Sequence, residues 1–181
     1  MKASVYIATS LDGFIARVNG DLDWLTSGND TQTNNDYGYQ AFMDSVDVII
    51  MGSNTFEKVL TFEGWPYSTK KVVVLSSRSL DIPTHLLKCV ELLALSPESV
   101  IAHLQEQGAN HLYIDGGQTI QGFLRAGLIT ELIITRIPIL IGNGIPLFGD
   151  TNRDIRLTHL ETRQFENGFV QSRYQPLRHA A

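Results

Sequence analysis

Two apolar runs of similar design constrain this chain most. Val48-Ile49-Ile50-Met51 leads into Gly52-Ser53-Asn54-Thr55, and Leu112-Tyr113-Ile114-Asp115 leads into Gly116-Gly117-Gln118-Thr119. Unbroken Val/Ile/Leu runs mark strands buried on both faces, which are joined by helical crossovers. A glycine directly after each run marks a strand-to-helix turn. Runs of this kind recur along the chain: Ser4 to Ala8, Val46 to Met51, Lys71 to Leu75, His111 to Ile114 and Glu131 to Ile137. Arg156 to Thr162 and Phe169 to Tyr174 flank the turn Glu166-Asn167-Gly168 and read as edge strands.

Helix signals lie between the runs. Ser96-Pro97-Glu98 combines an N-cap, a Pro at the first helical position and an early acid, which predicts a helix to about Gln107 with Gly108 as its stop. Asn35-Asp36 caps a helix through Asp44, Ser53-Asn54-Thr55 opens one through Leu60, and Thr119 to Ala126 is a fourth, stopped by Gly127. Alternating strands and helices predict a three-layer α/β/α domain over residues 1–178. Its central sheet is mostly parallel, with an antiparallel end from Ile129 onward.

Composition narrows the function classes. Apolar residues make up 43% and charged residues 18% of 181, which describes a globular chain with a large core. Fourteen Lys and Arg against nineteen Asp and Glu give a net charge of −5, so a nucleic-acid or anionic-membrane partner is not expected. Cys89 is the single cysteine, which excludes an internal disulfide and a multi-cysteine zinc site. The five histidines (His85, His103, His111, His159, His179) show no ligand spacing, so no metal site is expected. The apolar run Leu132 to Ile141 is interrupted by Arg136 and Pro138, and the stretch MKASVYIATSLDG is too quickly polar for a signal peptide. These features lead to the expectation of a soluble, cytoplasmic protein.

Several clusters admit both a structural and a chemical reading. Gly52, Ser53, Asn54 and Thr55, and Gly116, Gly117, Gln118, Thr119 and Ile120, are residues that a strand-to-helix turn needs in any case. They are also a pair of glycine-rich helix starts able to clamp a pyrophosphate. Neither matches GxGxxG, so a Rossmann fingerprint is absent. Leu75-Ser76-Ser77-Arg78 is a plain surface turn, or two hydroxyls and a guanidinium for the 2′-phosphate of NADPH. In Ser10-Leu11-Asp12-Gly13-Phe14-Ile15-Ala16, Asp12-Gly13 is a turn signal, and a loop closing over a bound ring would offer Ala8 and Ile15 as flat apolar contacts. Asp36 is an N-cap, or a carboxylate that anchors or protonates a heterocycle beside Tyr37, Tyr39 and Phe42. The segment Ile137 to Phe148, broken by Gly142-Asn143-Gly144, reads as an apolar arm that a symmetric partner chain would cover.

In their order along the chain, SLDG (Ser10 to Gly13), Asp23-Trp24-Leu25, IIMGSNTFE (Ile49 to Glu57), VVVLSSR (Val72 to Arg78), YIDGGQTIQGFL (Tyr113 to Leu124) and PILIGNGIPLF (Pro138 to Phe148) carry a resemblance. The chain resembles the dihydrofolate reductase-like superfamily, and more narrowly the reductase domain of the bifunctional riboflavin-biosynthesis deaminase/reductase and its stand-alone relatives. The resemblance is to the reductase half alone, so a stand-alone reductase domain is expected. The resemblance implies NADPH bound at the carboxyl edge of the sheet and hydride transfer to a pteridine- or pyrimidine-like heterocycle. By position, Gly52 to Thr55 and Gly116 to Ile120 would hold the pyrophosphate, and Leu75 to Arg78 the adenine ribose phosphate. Asp36, sixteen residues before Gly52, matches the substrate-binding acid, and Thr135 matches a hydroxyl that supports it.

The chain departs from the family pattern in two places: Ser53 replaces the Arg or Lys that usually follows the glycine, and Phe14 follows SLDG where a basic residue is common. Ser53 takes away one phosphate contact, while Phe14 and a helix Asp36 to Asp44 without Lys or Arg favour a neutral or cationic substrate over a phosphorylated one. The expectation is an NADPH-dependent reductase and homodimer, with Asp36 and Thr135 catalytic and Trp24, Tyr37, Tyr39 and Phe42 walling the substrate. Its rivals are a non-catalytic nucleotide-binding protein or sensor on the same fold, and a flavin-binding domain.

Overall fold

The computed structural model of this chain describes residues 1–25 and 35–177. Eight strands form one sheet: β1 (Lys2–Ser10), β3 (Val48–Gly52), β4 (Lys71–Leu75), β5 (Val90–Leu93), β6 (His111–Asp115), β7 (Glu131–Ile137), β9 (Leu157–Gln164) and β10 (Val170–Pro176). A separate pair joins β2 (Phe14–Ala16) to β8 (Ile145–Pro146). The order is β5-β4-β3-β6-β1-β7-β10-β9, parallel from β5 to β7, with β10 antiparallel to β7 and β9 antiparallel to β10. The chain leaves β1, builds outward through β3, β4 and β5, and returns to insert β6 between β3 and β1. The carboxyl ends of β3 and β6 thereby become neighbours, where Met51 pairs with Asp115.

Among the described residues four α-helices cover the sheet: α1 (Tyr39–Ser45), α2 (Ser53–Val59), α3 (Pro97–Glu106) and α4 (Gly117–Arg125). The period of two along each strand divides the core. Val48 and Ile50 of β3 pack with Val100 and Leu104 of α3 and with Ile120, Phe123 and Leu124 of α4. Ile49 and Met51 face the other way, onto Phe42 and Met43 of α1 and Phe56 and Val59 of α2. The three-layer α/β/α architecture and its antiparallel end are as expected.

Local departures have local causes. Helix α1 begins three residues after Asp36, because Tyr37 (φ 56) and Gly38 (φ 88) are left-handed and break the helical path. Helix α4 begins at Gly117, two residues before the expected Thr119. Strand β5 is not apparent in the sequence, since Glu91 interrupts its apolar run; the carboxylate lies on the outer strand and pairs with Lys71 at 2.6 Å. Ser96 caps α3 as read, its Oγ accepting from the Ser99 N–H at 3.2 Å.

The Ile137–Phe148 segment folds back on this chain's own start. Leu11 N–H donates to Ile139 O at 2.8 Å, and Leu147 N–H to Gly13 O at 3.0 Å. Asp12 accepts from the Ile141 and Gly142 amides at 3.3 and 2.8 Å. Leu147 is buried in the core, while Leu140 and Phe148 remain exposed. At the opposite, amino edge of the sheet, buried Ser4 bridges His111 Nε2 at 2.9 Å and Glu131 at 3.2 Å, and Lys2 neutralises Glu131 at 2.8 Å.

Candidate functional site

The two glycine turns meet at the carboxyl edge, and small residues are what let them meet. Gly116 sits at φ +87, a conformation that L side chains rarely adopt, and a Cβ there would overlap Thr55 Oγ1. Thr119 reciprocates: its Oγ1 lies 3.0 Å from where a Cβ on Gly52 would stand. Threonines of α2 and α4 thus interlock across the two turns. The β2–β8 pair lies directly above, with Ile15 Cδ1 3.2 Å and Ile145 Cγ2 3.6 Å from the Cβ position of Gly117. The structure therefore brings Ile15, Gly52, Thr55, Gly116, Gly117 and Thr119 together. Ile120 is buried below them, and Ser53, Asn54 and Gln118 lie on the partly or fully exposed rim.

A dinucleotide phosphate fits this cradle. No side chain caps the amino end of α4, so the first-turn N–H groups of that helix are free of a side-chain acceptor. The turns present hydroxyls and backbone amides, and the one carboxylate that leads into them, Asp115, accepts from the Gly116 N–H at 2.8 Å. Alongside, Leu75 ends β4 and Ser76 closes a tight turn, its Oγ accepting from Arg78 N–H at 3.1 Å and donating to Arg78 O at 2.9 Å. Ser77 and Arg78 are exposed, and the Arg78 guanidinium pairs with Glu57 of α2 at 2.6 Å.

A residue that sequence reasoning left unassigned stands next to the cradle. Asp115 ends β6 on the α1/α2 face, as alternation after Tyr113 requires. Burial pushes its carboxyl up to about 6, an effect only partly offset by the Gly116 N–H at 2.8 Å. The neighbouring Tyr39 is raised to about 12, first by burial and then by the Asp115 charge; Tyr67 and Tyr113 are raised for the same reasons. The signal was present in the sequence: Asp115 is a lone acid ending an apolar strand directly before two glycines.

The remaining predicted residues fall into two groups. Asp36 is exposed, and its carboxylate accepts from the Gly38 and Gln40 amides at 2.9 Å each, which hold it below the usual carboxylate range. Thr135 is buried on β7, where its Oγ1 accepts from Gln171 Nε2 at 3.0 Å. Gln171 also reaches the Tyr6 hydroxyl at 3.1 Å and Tyr37 O at 3.2 Å, and Tyr6 OH donates to Tyr37 O at 2.8 Å. Asp36 and Thr135 are therefore joined through Tyr6, Tyr37 and Gln171 rather than by direct contact. Trp24 and Phe42 are core residues, Trp24 packing with Ile137, Phe169 and Ala8, and the Phe42 ring lying tilted against Tyr6 with centroids 4.9 Å apart. Tyr37 and Tyr39 stay half-buried at the edge.

Comparison with known proteins places this geometry. The model of the RibD C-terminal domain family matches residues 2–171. The chain belongs to the RibD C-terminal domain family. A Shewanella sp. PV-4 structure, described as a candidate riboflavin biosynthesis protein, superposes with a TM-score of 0.92 at 43% identity, covering 98% of this chain and 100% of that one. The Bacillus subtilis protein YwjB, itself uncharacterized, is 34% identical over 167 residues, 91% of this chain and 92% of its own length. The Thermotoga maritima diaminohydroxyphosphoribosylaminopyrimidine deaminase/5-amino-6-(5-phosphoribosylamino)uracil reductase shares the fold, with a TM-score of 0.72 at 18% identity. The chain covers 56% of that protein. RibD C-terminal domain membership makes this a riboflavin-biosynthesis reductase-like chain. Among the described residues no helix is long and apolar enough to cross a membrane.

Proposed function

We propose that this protein is an NADPH-dependent reductase of a small, flat, pteridine- or pyrimidine-like heterocycle. The observation that carries the reading is Asp115: a carboxyl raised to about 6 at the end of a central strand, beside two interlocked glycine turns. When bound, the dinucleotide supplies a hydride to a carbon of the substrate. The chain's own residues do the rest. The Gly116 turn and the start of α4 hold phosphate, with Ser53, Asn54, Thr55, Gln118 and Thr119 as neutral donors around it. Leu75, Ser76, Ser77 and Arg78 hold the adenosine end, and Ile15 closes over the turn from above.

Protonated Asp115 gives its proton to the substrate atom adjacent to the reduced carbon, which completes addition of two hydrogens across one double bond. Asp36, held ionised by two backbone amides, acts as an anionic acceptor for a substrate N–H rather than as the proton source. Thr135 positions Gln171, Tyr6 and Tyr37 behind it. The ionised Asp36 carboxylate favours a neutral or cationic ring. Asp36→Asn is expected to weaken substrate binding and leave dinucleotide affinity unchanged.

The test is oxidation of NADPH, followed by absorbance, against a panel of pteridines and pyrimidines for wild type and Asp115→Asn. Turnover by wild type and its loss in the variant support the reading; equal turnover in both removes Asp115 from it. A non-catalytic dinucleotide-binding protein is the second reading, favoured by the uptake of Asp36 in backbone capping, and it predicts NADPH binding without oxidation by any ring in the panel. The proposal includes a cytoplasmic homodimer in which a second copy covers exposed Leu140 and Phe148. A monomer by light scattering at micromolar concentration contradicts that part.

A further inference from the structure

Resting on the reading that the glycine turns hold a nicotinamide dinucleotide, we propose that Glu57 sets how strongly this site distinguishes NADPH from NADH, by competing with the 2′-phosphate for Arg78. Three segments make up the dinucleotide site: Gly52 to Thr55, Leu75 to Arg78 and Gly116 to Ile120. Arg78 is the one Lys or Arg among them. The position after Gly52, where a second cation would stand, is Ser53. Any preference for a 2′-phosphate therefore depends on a single guanidinium.

That guanidinium is already engaged. Arg78 Nη2 lies 2.6 Å from Glu57 Oε2, and both side chains are about half exposed, at 52% and 49%. The backbone of Arg78 is fixed by Ser76 Oγ on both its N–H and its carbonyl, so the turn holds the side chain toward α2. Glu57 lies four residues after Ser53, on the same helical face. Lys58, the next cation along α2, is drawn away to Asp21 at 3.0 Å and offers no relief.

The chemistry of the two cofactors then differs at one atom. A 2′-phosphate brings close to two negative charges to Arg78, so phosphate and Glu57 must share one fork of donors, and like charges meet across it. A 2′-hydroxyl instead donates to a carboxylate, the arrangement by which an acid accepts the ribose of NADH. Glu57 therefore penalises NADPH and spares NADH. It tempers the preference that Arg78 creates.

Titration calorimetry with NADPH, NADH and 2′,5′-ADP tests this on wild type, Glu57→Gln, Arg78→Gln and the double variant. Glu57→Gln keeps the side-chain size and removes the charge. Exposed ion pairs couple weakly, so it is expected to tighten NADPH and 2′,5′-ADP about threefold while NADH stays the same or weakens. Arg78→Gln abolishes the NADPH advantage, and in that background Glu57→Gln no longer changes the NADPH/NADH ratio by the same factor. Circular dichroism on each variant separates a binding change from a folding defect. Binding of both dinucleotides with a ratio insensitive to Glu57→Gln overturns the proposal and leaves the reductase reading intact. Failure of wild type to bind either dinucleotide overturns both.

Discussion

At Asp115, burial and ionisation oppose each other, and the proposed chemistry rests on that opposition. A carboxyl raised from 3.8 to about 6 favours the folded state while protonated. This contribution is complete below the unfolded value and is lost as pH rises through about 6, a difference of about 3 kcal/mol. Asp115→Asn removes the penalty, so the variant is expected to melt above wild type at about pH 8, with the gain vanishing at about pH 4. Thermal denaturation at the two pH values checks it. The same substitution removes the proton source, and turnover is expected to fall about 100-fold or more. In wild type the rate should decline about tenfold per pH unit above about 6 as the acid form is depleted. A profile flat through this range contradicts the role given to Asp115.

The legibility of single residues in the sequence was uneven for a physical reason. Gly116 was visible as a turn residue because glycine has few other uses after a buried strand. Trp24 and Phe42 read equally well as pocket walls, since an aromatic ring serves a core or a pocket alike; only packing shows that both are buried. Asp115 was quoted within its motif and passed over, because its raised pKa comes from burial, which is set by how the sheet and helices pack and not by the residues beside it in the chain.

Among the elements, the pair of strand-to-helix turns behaves as one unit. Gly116→Ala introduces a Cβ at φ +87 and overlaps Thr55, so it should cost about 1–3 kcal/mol and loosen dinucleotide binding with it. Thr55→Ala in the same chain relieves the overlap but not the backbone strain, and urea denaturation of the single and double variants separates the two costs. Helices with strong local signals were the readable ones. Ser96-Pro97 fixed the start of α3, whereas α1 was displaced to Tyr39 by the left-handed pair Tyr37 and Gly38, one of which is not a glycine and gave no warning. The short pair β2–β8 was illegible because three- and two-residue strands have no periodicity to show.

Across the whole molecule, the sheet order does the positioning. Returning β6 between β3 and β1 brings the ends of two strands together that lie some 60 residues apart, as the pairing of Met51 with Asp115 shows. The cost of disturbing this layer is set by its packing. Phe123 of α4 is fully buried against the strands, and Phe123→Ala is expected to lose about 3–5 kcal/mol in denaturant titration. The opposite edge of the sheet, where Ser4, His111 and Glu131 are bonded to one another and sealed from solvent, reads as structural.

The central claim is that the carboxyl edge is a dinucleotide site. Hydrogen–deuterium exchange with and without saturating NADPH tests it most directly. Protection concentrated in Gly52 to Thr55, Leu75 to Arg78 and Gly116 to Ile120, with the Ser4–His111 edge unchanged, is the predicted result. Protection at the amino edge, or none anywhere, contradicts the account.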